Sequence, residues 1–154
     1  MKKQAGFTLV ELMVVIAIMG ILAATSVGFV AKYRQRTVGS EATVMMKQLL
    51  EAEIIYFLAH DEFFPKALEN EIRVWHNGVD PSLADQQRAL GALKVSIPID
   101  HLLDFRIYRD ALDPAGSPAT VEITSAGNFN LFPGVSQIKG TVYKTGKMTG
   151  PTPF

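Results

Sequence analysis

Residues 12–31 contain no charged side chain, and no other stretch limits so strongly what the chain can fold into. A short leader, Met1 to Gly6 with Lys2 and Lys3, precedes this region, and a single carboxylate, Glu11, stands at its start. A helix of about 20 residues spans about 30 Å, the thickness of a bilayer's hydrocarbon core, so one membrane span is expected. The competing reading is a secretory signal peptide, for which Leu22-Ala23-Ala24-Thr25 offers small residues for cleavage. Glu11 inside the apolar region, and an apolar run longer than the usual h-region of about 7 to 15 residues, argue against it. An ionised Glu at bilayer depth costs on the order of 3 kcal/mol, which makes Glu11 a functional candidate.

A chain of 154 residues leaves room for one small globular head besides the span. Lys plus Arg and Asp plus Glu number 15 each, so no net field steers nucleic acid to the chain, and no nucleic-acid partner is expected. Without cysteine there is no disulfide framework, thiolate metal site or cysteine nucleophile. Positive charge flanks both sides of the span, Lys2 and Lys3 before it and Lys32, Arg34 and Arg36 after it, so charge alone does not orient it.

Beyond the span the pattern becomes amphipathic. Val38, Ala42, Met45, Leu49 and Ala52 recur at steps of three and four, and Met46, Leu50 and Phe57 widen the band. No proline precedes Pro65, so the spacing predicts one helix from Phe7 to about Leu58, a rod of roughly 78 Å. Gly28 and Gly39 are its expected weak points, each costing about 1 kcal/mol against alanine. The helix is expected to end near His60-Asp61, with Phe63-Phe64-Pro65 as an extended exit over its foot. Asn77-Gly78 and Asp80-Pro81 mark a turn. Asp80 or Ser82 is then the expected cap of a short helix over Leu83 to Leu93, stopped by Pro98.

From Leu103 onward the texture is that of strands. Phe105 to Arg109 and Thr120 to Thr124 alternate, with breakers from Asp113 to Pro118 between them and a turn signal at Gly127-Asn128. Asn130-Leu131-Phe132 is a candidate short strand, and Thr141 to Lys144 the expected last one before a Gly- and Pro-rich tail. The predicted fold class is α+β: a long N-terminal helix packed on a small antiparallel sheet of three or four strands. The predicted division is a leader over 1–6, a membrane half of the helix over 7–31, and a head over 32–154. The head comprises the rest of the helix to about 60, a connecting region 61–102, the sheet 103–146 and the tail.

Glu11 has two readings from its position alone, snorkelling toward the headgroups or waiting for a cation. Ala17, Gly20, Ala24, Gly28 and Ala31 form a small-residue stripe that would let membrane helices approach closely, although such residues are common in spans. At 100° per residue this stripe centres roughly 220° around the helix from Glu11. Little points to catalysis, and no enzyme activity is expected. His60, His76 and His101 are scattered, and no G-x-S-x-G, H-E-x-x-H or phosphate loop occurs. Asp100, Asp104, Asp110, Asp113 and Glu122 are candidate oxygen ligands for calcium; their spacing fits no EF-hand loop, and solvated carboxylates explain them equally, so no cofactor is expected. Phe57, Phe63, Phe64 and Trp75 read as core and helix-foot packing.

Gly6-Phe7-Thr8-Leu9-Val10-Glu11 resembles the cleavage and methylation segment of type IV prepilins and of type II secretion pseudopilins, and the resemblance covers residues 2 to 31. It implies cleavage between Gly6 and Phe7 by a prepilin peptidase/methyltransferase and N-methylation of Phe7. It further implies that Glu11 neutralises the new Phe7 amine of a neighbouring subunit. The leader is implied to lie inside and the head outside the inner (cytoplasmic) membrane, before a membrane-embedded assembly platform builds an extracellular or periplasmic filament. Partners would be further copies of the chain in a helical homopolymer, and minor pilins. The implied function is that of a structural subunit of a type IV pilus-like filament. A pseudopilin is the alternative, and a membrane-tethered periplasmic binding module is the second. The head is where the major pseudopilin holds calcium, so any calcium here would be expected there. Two departures from the family pattern stand out: many relatives carry proline where this chain has Gly28, and the chain lacks the disulfide of some pilins.

Overall fold

The apolar run and the amphipathic run after it are both helical, assigned as α1, Leu9–His60. The computed structural model describes residues 6–66, 69, 71–109, 117–127 and 129–153. The remaining elements are β1 Ile72–Val74, α2 Ser82–Leu93, β2 Leu103–Arg109, β3 Ala119–Ser125, β4 Gln137–Val142 and β5 Met148–Pro153. Contacts divide the chain into two compact units, 1–34 and 35–154.

In the first unit every described residue from Gly6 to Arg34 is exposed. An 18-residue window of this helix has a mean hydropathy of 2.4, and the helix is long and apolar enough to cross a membrane. Its hydroxyls are satisfied internally: Thr25 Oγ1 and Ser26 Oγ both donate to the Leu22 carbonyl, at 3.0 and 2.7 Å. Lipid offers no partner for such groups, so back-bonding to the preceding turn lets the segment keep them.

The second unit is built on the amphipathic stretch. Val38, Ala42, Met46, Leu49, Leu50, Ala52 and Tyr56 are buried, and Met45 and Phe57 pack partly buried beside them. The face follows the predicted period. It is covered by one side of a five-stranded antiparallel meander in the order β1-β2-β3-β4-β5. Inward positions align across the strands, with Ile72 opposite Ile107, Ile107 opposite Val121 and Val121 opposite Gly140. A second inward row runs from Val74 through Phe105 and Ile123 to Ile138. The outward rows are polar, as period-2 alternation requires of a half-covered sheet.

Two glycines mark where backbones come close. A Cβ on Gly140 would stand 2.7 Å from Leu50 Cδ1 and 2.9 Å from Met46 Sδ, so this bare position in β4 seats the helix. A Cβ on Gly39 would stand 2.3 Å from the Leu131 carbonyl oxygen. Gly39 was expected to be a weak point of the helix, and propensity alone makes it one. Its place is explained by the buried Leu131 segment that lies against it.

Several boundaries differ from expectation. The sheet has five strands: β1 lies in the stretch read as connection, and β5 in the stretch read as tail. Asn130 to Phe132 forms no strand, only an isolated bridge from Phe132 to Val135. The α2 N-cap is Pro81, with no side-chain capping bond, so neither Asp80 nor Ser82 serves as the cap. Ser82 Oγ is committed elsewhere, donating to the Val79 carbonyl at 2.6 Å and accepting from Trp75 N at 2.9 Å. The helix stops at a left-handed Lys94 whose N–H reaches the Leu90 carbonyl, four residues before Pro98. The leader residues 1–5, most of the Asp113 to Pro118 breaker run and Asn128 lie outside the described residues.

The foot of α1 ends as expected, at His60, with Asp61 in a left-handed conformation. Phe63 and Phe64 are buried under it, Phe63 stacking on Phe57 at 4.7 Å and Phe64 meeting Tyr56 edge-on at 5.7 Å. A buried carboxyl holds this exit. Glu53 is 0 % exposed and accepts the Phe64 N–H at 2.9 Å through Oε2, while Oε1 has no partner among the described residues. Beside it Arg109 Nη1 donates to the Phe63 carbonyl at 3.1 Å. Burial pushes the Glu53 carboxyl from 4.5 up to about 8, against the opposing pull of the Phe64 N–H and the Arg109 charge.

Two predictions follow the packing. Gly39→Ala is expected to destabilise the head by about 1–3 kcal/mol, because the clash with a carbonyl outweighs the roughly 1 kcal/mol gained in helix propensity. Denaturant titration of the full chain in detergent measures it, and a stabilised variant would show that the Leu131 segment yields. The second concerns Glu53, which binds its proton more tightly folded than unfolded. Its contribution is therefore fully present below pH 4.5 and is lost as pH rises toward about 8. Glu53→Gln keeps an acceptor for Phe64 and cannot ionise, so its stability should fall less over that window, by about 2–4 kcal/mol. Parallel pH profiles for the two proteins would remove Glu53 as the cause.

Candidate functional site

The start of α1 is built by a reciprocal cap. Glu11 N donates to Thr8 Oγ1 at 3.2 Å, while Glu11 Oε2 accepts from Thr8 N at 2.9 Å and from Thr8 Oγ1 at 2.8 Å. Thr8-Leu9-Val10-Glu11 is thus a capping box, which satisfies donors that the first turn of a helix leaves open. The T-x-x-E spacing was visible in the sequence and carries a third reading of Glu11, beside snorkelling and pairing with a cation. The cap engages only one carboxylate oxygen. Oε1 takes no partner among the described residues, so capping and reception of a cation are compatible at the same side chain.

Gly6 and Phe7 precede the helix and are exposed, Phe7 at 83 %. Ala17, Gly20, Ala24, Gly28 and Ala31 all lie within α1, and among the described residues nothing beyond the helix's own adjacent backbone comes within 4 Å of a Cβ built on Gly20 or Gly28. Their small size answers no packing need within the described chain.

The described carboxylates considered for calcium are not gathered. Among the described residues no group of three or more His, Cys, Asp or Glu side chains is placed to hold a metal ion. Asp104 Oδ1 accepts from His76 Nδ1 at 2.9 Å. Glu122 is shared by Tyr108, Arg106 and Lys139 at 2.6, 3.3 and 3.6 Å. Asp110 and Asp113 lie outside the described residues. The three histidines sit apart, as their spacing implied: His60 stacks on Tyr56, His76 pairs with Asp104 and His101 with Glu41. Trp75, read as core, is only partly buried.

Comparison with known proteins bears on the N-terminal segment. The family described as the prokaryotic N-terminal methylation motif matches residues 1–27. The chain is 41% identical over 61 residues to the type IV major pilin protein PilA of Myxococcus xanthus, covering 40% of this chain and 28% of that one. It is 45% identical over 60 residues to a fimbrial protein of Neisseria meningitidis, covering 39% and 35%. It is 46% identical over 57 residues to the type IV major pilin protein PilE of Neisseria gonorrhoeae, covering 37% and 34%. The chain thus spans about a third of the length of these curated relatives. No solved structure matches significantly. Over its N-terminal segment the chain is therefore similar to type IV pilins and carries the prokaryotic N-terminal methylation motif.

Proposed function

We propose that this chain is a structural subunit of a type IV pilus-like filament, inserted in the inner membrane as a prepilin with its head outside. A prepilin peptidase/methyltransferase cleaves between Gly6 and Phe7 and methylates the Phe7 amine, and a membrane-embedded platform then adds the subunit to a helical homopolymer that minor pilins accompany. The observation that carries this reading is Glu11, the one carboxylate at the head of an exposed helical segment that carries no other charge as far as Ala31. A lone carboxylate in lipid is costly, and the free α-amine of a neighbouring Phe7 is a cation of the right kind and depth to neutralise it. The role is mechanical: apolar helices pack in the filament interior, with the stripe from Ala17 to Ala31 admitting close neighbours, and the heads form its surface. The reported relatives are pilus proteins, which favours a pilus over a secretion pseudopilus or a membrane tether.

Processing is tested by the mass of the mature chain. It should begin at a methylated Phe7, and Gly6→Val should retain the leader; a mature chain beginning at Met1 or near Thr25 would overturn the reading.

Assembly is tested by variants that separate Glu11's charge from its cap. Glu11→Gln preserves the capping box and removes the charge, whereas Thr8→Ala removes the hydroxyl half of the box and preserves the charge. Sheared filaments should pellet for Thr8→Ala and be lost or much reduced for Glu11→Gln and Glu11→Leu, with membrane insertion and leader cleavage intact in all three. Normal filament yield from Glu11→Gln would leave the cap as the residue's whole purpose.

A further inference from the structure

The chain has one tryptophan, Trp75, and it is only partly buried. Trp75, just beyond β1, lines with His76, Asn77, Val79 and Asp104 an open depression of about 290 Å³. Its frame is tied down by backbone bonds. Trp75 N donates to Ser82 Oγ at 2.9 Å, Gly78 N to the Trp75 carbonyl at 3.0 Å, and Asp100 N to the His76 carbonyl at 2.9 Å. Asp104 on β2 takes the His76 backbone N–H at 2.7 Å and the imidazole Nδ1 at 2.9 Å, both on Oδ1. The proton is thereby placed on Nδ1, and Nε2 is left without a partner among the described residues.

The groups left over define a ligand. Asp104 Oδ2, the Asn77 amide nitrogen and the Trp75 indole N–H have no partner among the described residues either. The Asn77 oxygen is used, accepting Val79 N at 3.2 Å. The residues that line the depression therefore carry an aromatic ring and the Val79 side chain, 56 % exposed, together with two unspent donors, an unspent carboxylate oxygen and an imidazole nitrogen. An anion would meet Asp104. A quaternary cation would find a single aromatic ring in place of a cage, beside a carboxylate that already accepts two N–H bonds. A pyranose answers both halves of the surface: its C–H face lies on an indole, and each hydroxyl both donates and accepts. The volume suits one sugar ring, and the open side leaves room for a chain to continue from it.

We propose that Trp75, His76, Asn77, Val79 and Asp104 form a binding site for one neutral pyranose, free or at the end of a glycan. This goes beyond the subunit reading and does not depend on it. Because Trp75 is the sole tryptophan, its fluorescence reports this site alone. The full chain, held in a zwitterionic detergent without a sugar headgroup, is titrated with glucose, galactose, mannose and N-acetylglucosamine, each as free sugar and as methyl pyranoside. At least one is expected to saturate, with roughly millimolar affinity for so small and open a site. Binding of the methyl pyranoside assigns the site to a linked terminal sugar, and binding of the free sugar alone to a soluble one. Val79→Arg, a change at an exposed position that blocks the opening, should abolish the response, and His76→Ala should weaken it at least about tenfold. Absence of saturation with every sugar overturns the proposal, as does saturation that Val79→Arg leaves unchanged. Saturation by tetramethylammonium and by no sugar also overturns it, in favour of a cation site.

Discussion

The head depends on how closely one helix face can approach one sheet face. Met46 and Leu50 descend onto Gly140, where a Cβ would stand under 3 Å from both side chains. That contact lies between the inward rows ending in Gly140 and Ile138, so the helix covers the strands whose register aligns Phe105, Ile107, Val121 and Ile123 beneath it. A larger residue at 140 would lift the helix off the whole layer, because interiors are packed too tightly to absorb a methyl group locally. Gly39 is the counterpart on the helix, where the Leu131 backbone closes over α1. Neither position asks for a glycine conformation, and both ask for the absence of a side chain.

Around this layer the polar groups are placed so that few backbone donors are wasted. β1 is an edge strand, and α2 covers its open side with two side-chain acceptors, Asp85 Oδ2 for Arg73 N at 2.8 Å and Ser82 Oγ for Trp75 N. This accounts for buried polar residues on α2 and for the loss of Ser82 as a cap. The opposite edge, β5, carries Gly150-Pro151, which interrupts pairing with β4 and makes the edge a poor template for a further strand. The sheet's outer face is crossed by a row from Arg106 through Glu122 to Lys139, with the Arg106 guanidinium 4.5 Å from the Tyr108 ring centroid. The cations are partly exposed and each pair contributes little, but the buried Glu122 they share ties three strands in one register.

What the sequence disclosed followed from periodicity and from strong local chemistry. The amphipathic face from Val38 to Tyr56, the stop at His60, the aromatic exit and the alternation of β2 and β3 are local patterns and appear where expected. The missed elements lack such patterns. β1 is three residues long and is a strand only because β2 lies beside it. β5 contains Gly150, Pro151 and Pro153, which local rules assign to a tail, and pairing with β4 overrides them. Glu53 sat among apolar neighbours at a buried phase of the helix, yet a carboxyl there reads as surface until Phe64 and Arg109 are brought to it from 11 and 56 positions downstream in the chain. Trp75 was misplaced for the opposite reason, since an aromatic in an apolar context defaults to core.

Glu11 shows how one residue can serve the isolated chain and the proposed filament in turn. The capping box starts α1 at Leu9, so Gly6 and Phe7 stay outside the helical hydrogen-bond ladder. A peptide bond held in that ladder would have to be unwound before a protease could grip it, and the cap spares the proposed cleavage this cost. On the proposed route, before cleavage Thr8 would partly shield the carboxylate from lipid through Oε2. After the proposed cleavage, the new α-amine would lie on Phe7, next to Thr8, and Oε1 would remain open to the amine of a neighbour. A Gln at this position would cap as well and a Lys would insert no worse, but neither offers an anion. On the proposed reading, the demand that singles out Glu is the charge, which the amine of a neighbour would answer.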